Sequence, residues 1–205
     1  MPKGRVIVCV TLSSKVSATH QSARLAAERF SGHCRVTVVD SLSVSAGLGN
    51  LCRAAAERAE AGEDLETVVA ETERLRDSIA YYGAVETLEF LRRGGRIGAA
   101  RALLGSALSI RPLLRFEQGS VEVAGKVRTR QRSLEWIVEC VAADSPVESV
   151  TAIHADAADI DVLHEMLASQ VSGQEVVVSL MGPVMGSHLG PGGVGAIYFK
   201  TTRPD

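Results

Sequence analysis

With 205 residues, 46% of them hydrophobic, the chain has length and apolar content for one large domain or two small ones. Its apolar runs are far shorter than a membrane span, no signal-like segment follows Met1, and Cys9, Cys34, Cys52 and Cys140 stand singly; this speaks for a reduced, cytoplasmic protein without disulfides or zinc. The net charge of −2 hides a segment, 92–132, with ten basic and two acidic residues, so that +8 there is set against −10 elsewhere.

In chain order, Arg5–Thr11 is apolar and β-branched and predicts a strand. A helix capped by Ser14 or Ser17 runs to Phe30, and a second strand, Arg35–Val39, ends in Asp40-Ser41. Leu48, Leu51, Cys52, Ala55 and Ala59 share one helical face, with Gly62 as the stop. Asp64 caps the next helix, whose buried face is Leu65, Val68, Val69, Thr72 and Leu75.

Ser78–Val85 predicts a strand, Glu86–Arg93 a short helix stopped by Gly94-Gly95, and Ile97–Ala107 a helix of small residues. Ile110–Phe116 and Val121–Val127 pair as a hairpin around Gln118-Gly119. Leu134, Ile137, Val138 and Val141 have the i, i+3, i+4, i+7 spacing of a helix. A strand (Glu148–His154), a helix (Ala157–Val171), a strand (Glu175–Met181), a glycine-rich loop and a strand (Ala196–Lys200) complete the chain. The alternation predicts an α/β protein, with a break between two lobes within Glu60–Ile79.

The stretch Gly182–Val194 is rich in glycine and proline, and His188 is its only titratable side chain. Glycine lets the backbone approach a ligand and proline fixes the turn around it, so the loop reads as presenting its amides and an imidazole to a bound group. The same composition also suits a tight turn with an incidental surface histidine. The basic segment 92–132 reads either as a docking face for something anionic or as a partner for acidic helices elsewhere. Nucleic acid is disfavoured, because that segment holds a single aromatic residue and the whole chain is slightly acidic.

Four segments, in order, resemble the DegV family of bacterial fatty-acid-binding proteins. They are Ser13-Ser14 through Ser17-Ala18-Thr19-His20-Gln21-Ser22-Ala23; Val39-Asp40-Ser41 with Ser45-Ala46-Gly47-Leu48-Gly49; Glu86 through Gly94-Gly95-Arg96-Ile97-Gly98, continuing over Ile110-Arg111-Pro112 to Gly125-Lys126-Val127-Arg128-Thr129; and Gly182 through His188 to Gly192. Two departures stand out. The Asp-Ser-Thr and Thr-Ser-x-Pro-Ser motifs that usually open the family are absent, and its Gly-Thr-Tyr is Ala18-Thr19-His20.

The resemblance implies a two-lobed fold: an incomplete Rossmann-like N-terminal lobe over 1–65, a mixed-sheet C-terminal lobe over 66–205, and the ligand between them. The shortened lobe is then cut down, completed by another chain, or part of a longer product. The implied function is a binding protein, not an enzyme, that presents a long-chain fatty acid to a dihydroxyacetone-kinase-like fatty acid kinase for acyl phosphate formation. No Walker loop occurs in the chain. Ser17, Arg96 and His188 are the implied carboxylate donors, and Thr19, Gly95 and Gly186 secondary ligand-binding positions. Arg128 and Arg130 are the implied docking residues. No cofactor or metal is expected; transient membrane contact and a homodimer are compatible with the reading.

Such a site needs donors at the end of an apolar channel, because a buried carboxylate without them is costly. Two other classes fit the same residues. His188, Ser17 and Arg96 suit an oxyanion site for hydrolysis or transfer on a small acyl or phosphoryl substrate. Alternatively, the shortened chain binds nothing and covers its open apolar face by self-association.

Overall fold

The chain up to Ser78 builds a small parallel α/β unit. A computed structural model describes residues 6–30, 34–103, 110–171 and 173–201. Strand β1 (Val6–Thr11) pairs in parallel with β2 (Arg35–Asp40), from Val6↔Arg35 to Thr11↔Asp40, and α1 (Thr19–Arg29) forms the crossover. Helices α2 (Ser45–Glu60) and α3 (Leu65–Ser78) follow and pack together, with Leu51, Ala55, Leu65 and Val68 buried. Among the described residues this sheet has two strands, α1 buries none of its side chains, and Val6, Ile7, Leu25 and Phe30 are exposed.

One expectation changes here. Cys52 and Ala59 are exposed on α2, because the buried stripe runs through Gly47, Leu51 and Ala55 alone. The unit extends to Ser78, since α3 packs on α2, a boundary inside the break expected over Glu60–Ile79. Gln118–Ser120 is grouped with it, the Ser13 hydroxyl donating to the Gly119 carbonyl at 2.7 Å.

The second unit is a six-stranded mixed sheet of order β5-β4-β3-β8-β6-β7. Its strands are β3 (Ile79–Ala84), β4 (Arg111–Glu117), β5 (Ser120–Val127), β6 (Val147–Ala155), β7 (Val177–Leu180) and β8 (Gly193–Lys200). Strands β6 and β7 pair in parallel, and β8 lies antiparallel between β3 and β6. Gln118 and Gly119 both have positive φ (48° and 82°), as a two-residue hairpin turn requires.

One face carries the core. Ala80, Ala84, Ala196 and Tyr198 meet Leu134, Ile137 and Val141 of α5 (Arg130–Ala143) and Leu163 and Leu167 of α6 (Ile160–Gln170). Over Gly193 on the other face sits Leu189, the last residue of α7 (Pro183–Leu189).

Several boundaries differ from the sequence reading. The strand expected at Glu175–Met181 is four residues long, and α6 starts at Ile160, after Asp159. The helix expected over Ile97–Ala107 is a 3-10 helix over Gly98–Leu103, and 104–107 lies outside the described residues. The expected glycine-rich loop is largely α7. Gly182 precedes it with extended backbone, Pro183 occupies the first turn where a missing N–H costs nothing, and Gly190 (φ 76°) ends it.

Candidate functional site

A short helix and a glycine turn prepare the place for His188. Helix α4 (Glu89–Arg93) ends through Gly94 and the left-handed Gly95 (φ 68°). The Gly95 amide donates to the Arg92 carbonyl at 3.1 Å and the Arg96 amide to the Leu91 carbonyl at 3.0 Å. This is the Schellman pattern, in which a positive-φ residue closes the last turn. The Gly95 amide is therefore committed to its own helix.

Helices α4 and α7 pack through two glycine contacts. A Cβ on Gly94 would lie 2.1 Å from His188 Nδ1, so the imidazole occupies the space that a larger residue would fill. A Cβ on Gly190 would lie 2.3 Å from the ring of Phe90. Phe90 thus rests on the residue that ends α7, while His188 of α7 rests on the residue that ends α4.

Nδ1 of His188 is buried and has no hydrogen-bond partner among the described residues. Among the described residues no carboxylate bonds this nitrogen. Arg96 is exposed, and its Nη1 donates to the Gly94 carbonyl at 2.8 Å. Arg96 and His188 therefore converge on Gly94, one at its carbonyl and one over its Cα. Gly186 lies within α7; its amide donates to the Gly182 carbonyl and its carbonyl accepts from the Gly190 amide. The amides of Gly95 and Gly186 are thus taken up by bonds within their own helices.

Ser17 and Thr19 lie in the first unit, at the start of α1. The Ser17 oxygen accepts the Thr19 amide at 3.3 Å and shares a 2.9 Å hydrogen bond with the Thr19 hydroxyl. Neither Ser14 nor Ser17 caps α1 in the simple sense, because Ala18 holds the capping position. The Ser14 amide instead donates to Asp40 at 3.1 Å.

Sequence reasoning missed the pairing of His20 Nδ1 with the Thr11 hydroxyl at 3.0 Å, where the family motif carries tyrosine. Asp40 is also more than a strand end. Burial pushes its carboxyl up, but hydrogen bonds from Ser14 and Leu42 and the nearby His20 outweigh burial and hold it below the usual carboxylate range.

The basic segment is largely neutralised within the second unit. Arg92 and Arg93 bind Glu89, and their hydrogen bonds lower its carboxyl to about 2. Arg115 pairs with Glu117, Arg132 with Glu135 and Glu139, and Arg111 with Glu86.

Arg130, an expected docking residue, has partners within the unit. It grips Asp159 with two bonds of 2.6 and 2.7 Å, and its Nη1 reaches Glu86 at 3.1 Å and the Gly192 carbonyl at 2.8 Å. Lys126 and Arg128 are exposed and have no ion pair among the described residues. Among the described residues no group of three or more His, Cys, Asp or Glu forms a metal site, and no helix is long and apolar enough to cross a membrane.

Comparison with known proteins agrees on one family. The DegV family profile matches residues 2–201. A DegV domain-containing protein of Streptomyces coelicolor is 40% identical over 197 residues, which cover 93% of this chain and 69% of the relative. A DegV family protein from Thermus thermophilus, described as binding fatty acid, is 40% identical with a TM-score of 0.86, over 95% of this chain and 70% of its own. DegV of Bacillus subtilis, described as a fatty acid binding protein, is 30% identical with a TM-score of 0.82, over 95% and 71%. This chain thus spans about seven-tenths of each relative's length. With a parallel α/β unit, a mixed-sheet unit and a profile match over nearly all its residues, the chain belongs to the DegV family.

Proposed function

We propose that the chain binds a long-chain fatty acid and offers its carboxylate to a partner kinase. The observation that carries this reading is the His188 imidazole, whose Nδ1 side is packed over Gly94 without a hydrogen-bond partner among the described residues. That leaves Nε2 to meet a carboxylate, where a hydrogen bond to a charged group contributes about 1.5–3 kcal/mol. Arg96, which meets His188 at Gly94, is the further donor of this unit. Each buried methylene of the tail adds about 0.8 kcal/mol before the cost of ordering it. The fatty-acid binding described for the Thermus and Bacillus relatives supports the same ligand class. Titration of delipidated protein with a fluorescent long-chain fatty acid, competed by palmitate, should give saturable one-to-one uptake. Absence of competable uptake would sink the reading.

The kinase of this reading is of the dihydroxyacetone-kinase type, and it converts the bound carboxylate to an acyl phosphate. Lys126 and Arg128 are the cations offered to it, since Arg130 is bound within the fold. Lys126→Glu with Arg128→Glu should weaken kinase association about tenfold or more at low salt, with fatty-acid affinity unchanged. Association that ignores both the reversals and added salt would remove this surface from the account.

A further inference from the structure

We infer that Arg130 is a positioning residue for His188, acting through the turn that follows α7. The turn Gly190–Gly192 is held from three directions. Phe90 of α4 fills the space beside Gly190, the Gly192 amide donates to the Ala155 carbonyl of β6, and Arg130 of α5 takes the Gly192 carbonyl. Arg130 is itself fixed by its two bonds to Asp159, the residue before α6, and by Glu86. Both glycines have positive φ, 76° and 78°, a backbone that a larger residue would strain, and in it the Gly192 carbonyl meets the guanidinium.

His188 lies two residues before Gly190, and the Gly190 amide bonds back into α7 at the Gly186 carbonyl. A shift of the turn therefore passes into the helix end that carries the imidazole. His188 has little tolerance for such a shift, because its ring sits directly over Gly94 and Nδ1 makes no protein hydrogen bond that would hold it there. Its orientation is set by the helix end and by packing. The Arg130 guanidinium supplies the anchor for that helix end, and its fork serves Asp159 and Gly192 at once, a geometry that an ammonium cannot reproduce.

The inference deepens the fatty-acid reading and rests on it for the ligand, whereas the placement of His188 can be read without ligand. In the first measurement, imidazole resonances of ligand-free protein are recorded by NMR for the wild type, Arg130→Lys and Arg130→Ala. One sharp set for His188 in the wild type, shifted and broadened in both variants, is expected; unchanged His188 resonances in a folded variant would overturn the inference. Arg130→Lys keeps the experiment decisive if Arg130→Ala fails to fold.

In the second measurement, fatty-acid affinity and melting temperature are recorded for Arg130→Lys, His188→Ala and the double variant. Arg130→Lys alone should weaken binding by about tenfold, and by less than about twofold when His188 is already alanine. The melting temperature should fall equally in both backgrounds. An equal loss of affinity in both backgrounds would assign Arg130 to general stability and overturn the inference. If the wild type takes up no fatty acid, the lipid reading falls, and the NMR result alone decides the role of Arg130.

Discussion

His188→Ala is expected to weaken fatty-acid binding by about 10- to 100-fold, the equivalent of losing one hydrogen bond to a charged group. Stability should change by less than about 1 kcal/mol, because the lost packing over Gly94 is offset by removal of an unsatisfied buried atom. Gly94→Ala provides the complementary test. Gly94 has φ −73°, which any L-residue adopts, so the backbone tolerates the change. The new methyl would sit 2.1 Å from Nδ1 and must drive the imidazole away. Binding should then fall as in His188→Ala although the histidine is still present. Calorimetric titration with the same fatty acid measures both, and wild-type affinity in Gly94→Ala would show that the imidazole over Gly94 does not hold the headgroup.

Arg130→Ala is expected to have the largest effect on stability, about 2–3 kcal/mol. Exposed ion pairs contribute about 0–1 kcal/mol, whereas breaking a buried one costs about 3–5 kcal/mol. The Arg130 and Asp159 side chains are 20% and 28% exposed, which places this pair between the two. The cost should also depend on pH in one direction. Hydrogen bonds from Arg130 hold the Asp159 carboxyl below the usual range, with burial working the other way. A depressed carboxyl stabilises the fold above its unfolded pKa, about 3.9 for Asp, and that contribution is lost as pH falls through the folded value. The Asp159 hydrogen bond raises Arg130 above its ordinary range, so its own titration lies far on the alkaline side. Urea unfolding should therefore show the full gap between wild type and variant at pH 7 and a shrinking gap below about pH 4. A gap that widens in acid would assign the stabilisation to other groups.

The sequence announced His188 but not its setting. A histidine alone among glycines and prolines marks the segment, yet Gly182-Pro183 and Gly190 are also a helix start and stop, so the composition that suits a loop serves a short helix here. The hairpin at Gln118-Gly119 was legible because its turn chemistry is local. The partners of Arg130 are not local: Asp159 is 29 positions away and Gly192 is 62. Charge counted along the chain showed ten cations together, and only the fold reveals which already have carboxylates. Gly94 looked like a helix stop; nothing in its neighbourhood indicates that a side chain from the far end of the sequence needs its missing Cβ. The pairing of His20 with Thr11 was equally hidden, since it joins a strand end to the first turn of a helix.

The most direct test of the central claim is organic extraction of the purified chain followed by mass spectrometry, with His188→Ala prepared in parallel. The account expects a long-chain fatty acid near one equivalent in the wild type and markedly less in the variant. A wild type that is empty, and stays empty after incubation with added fatty acid, would contradict it.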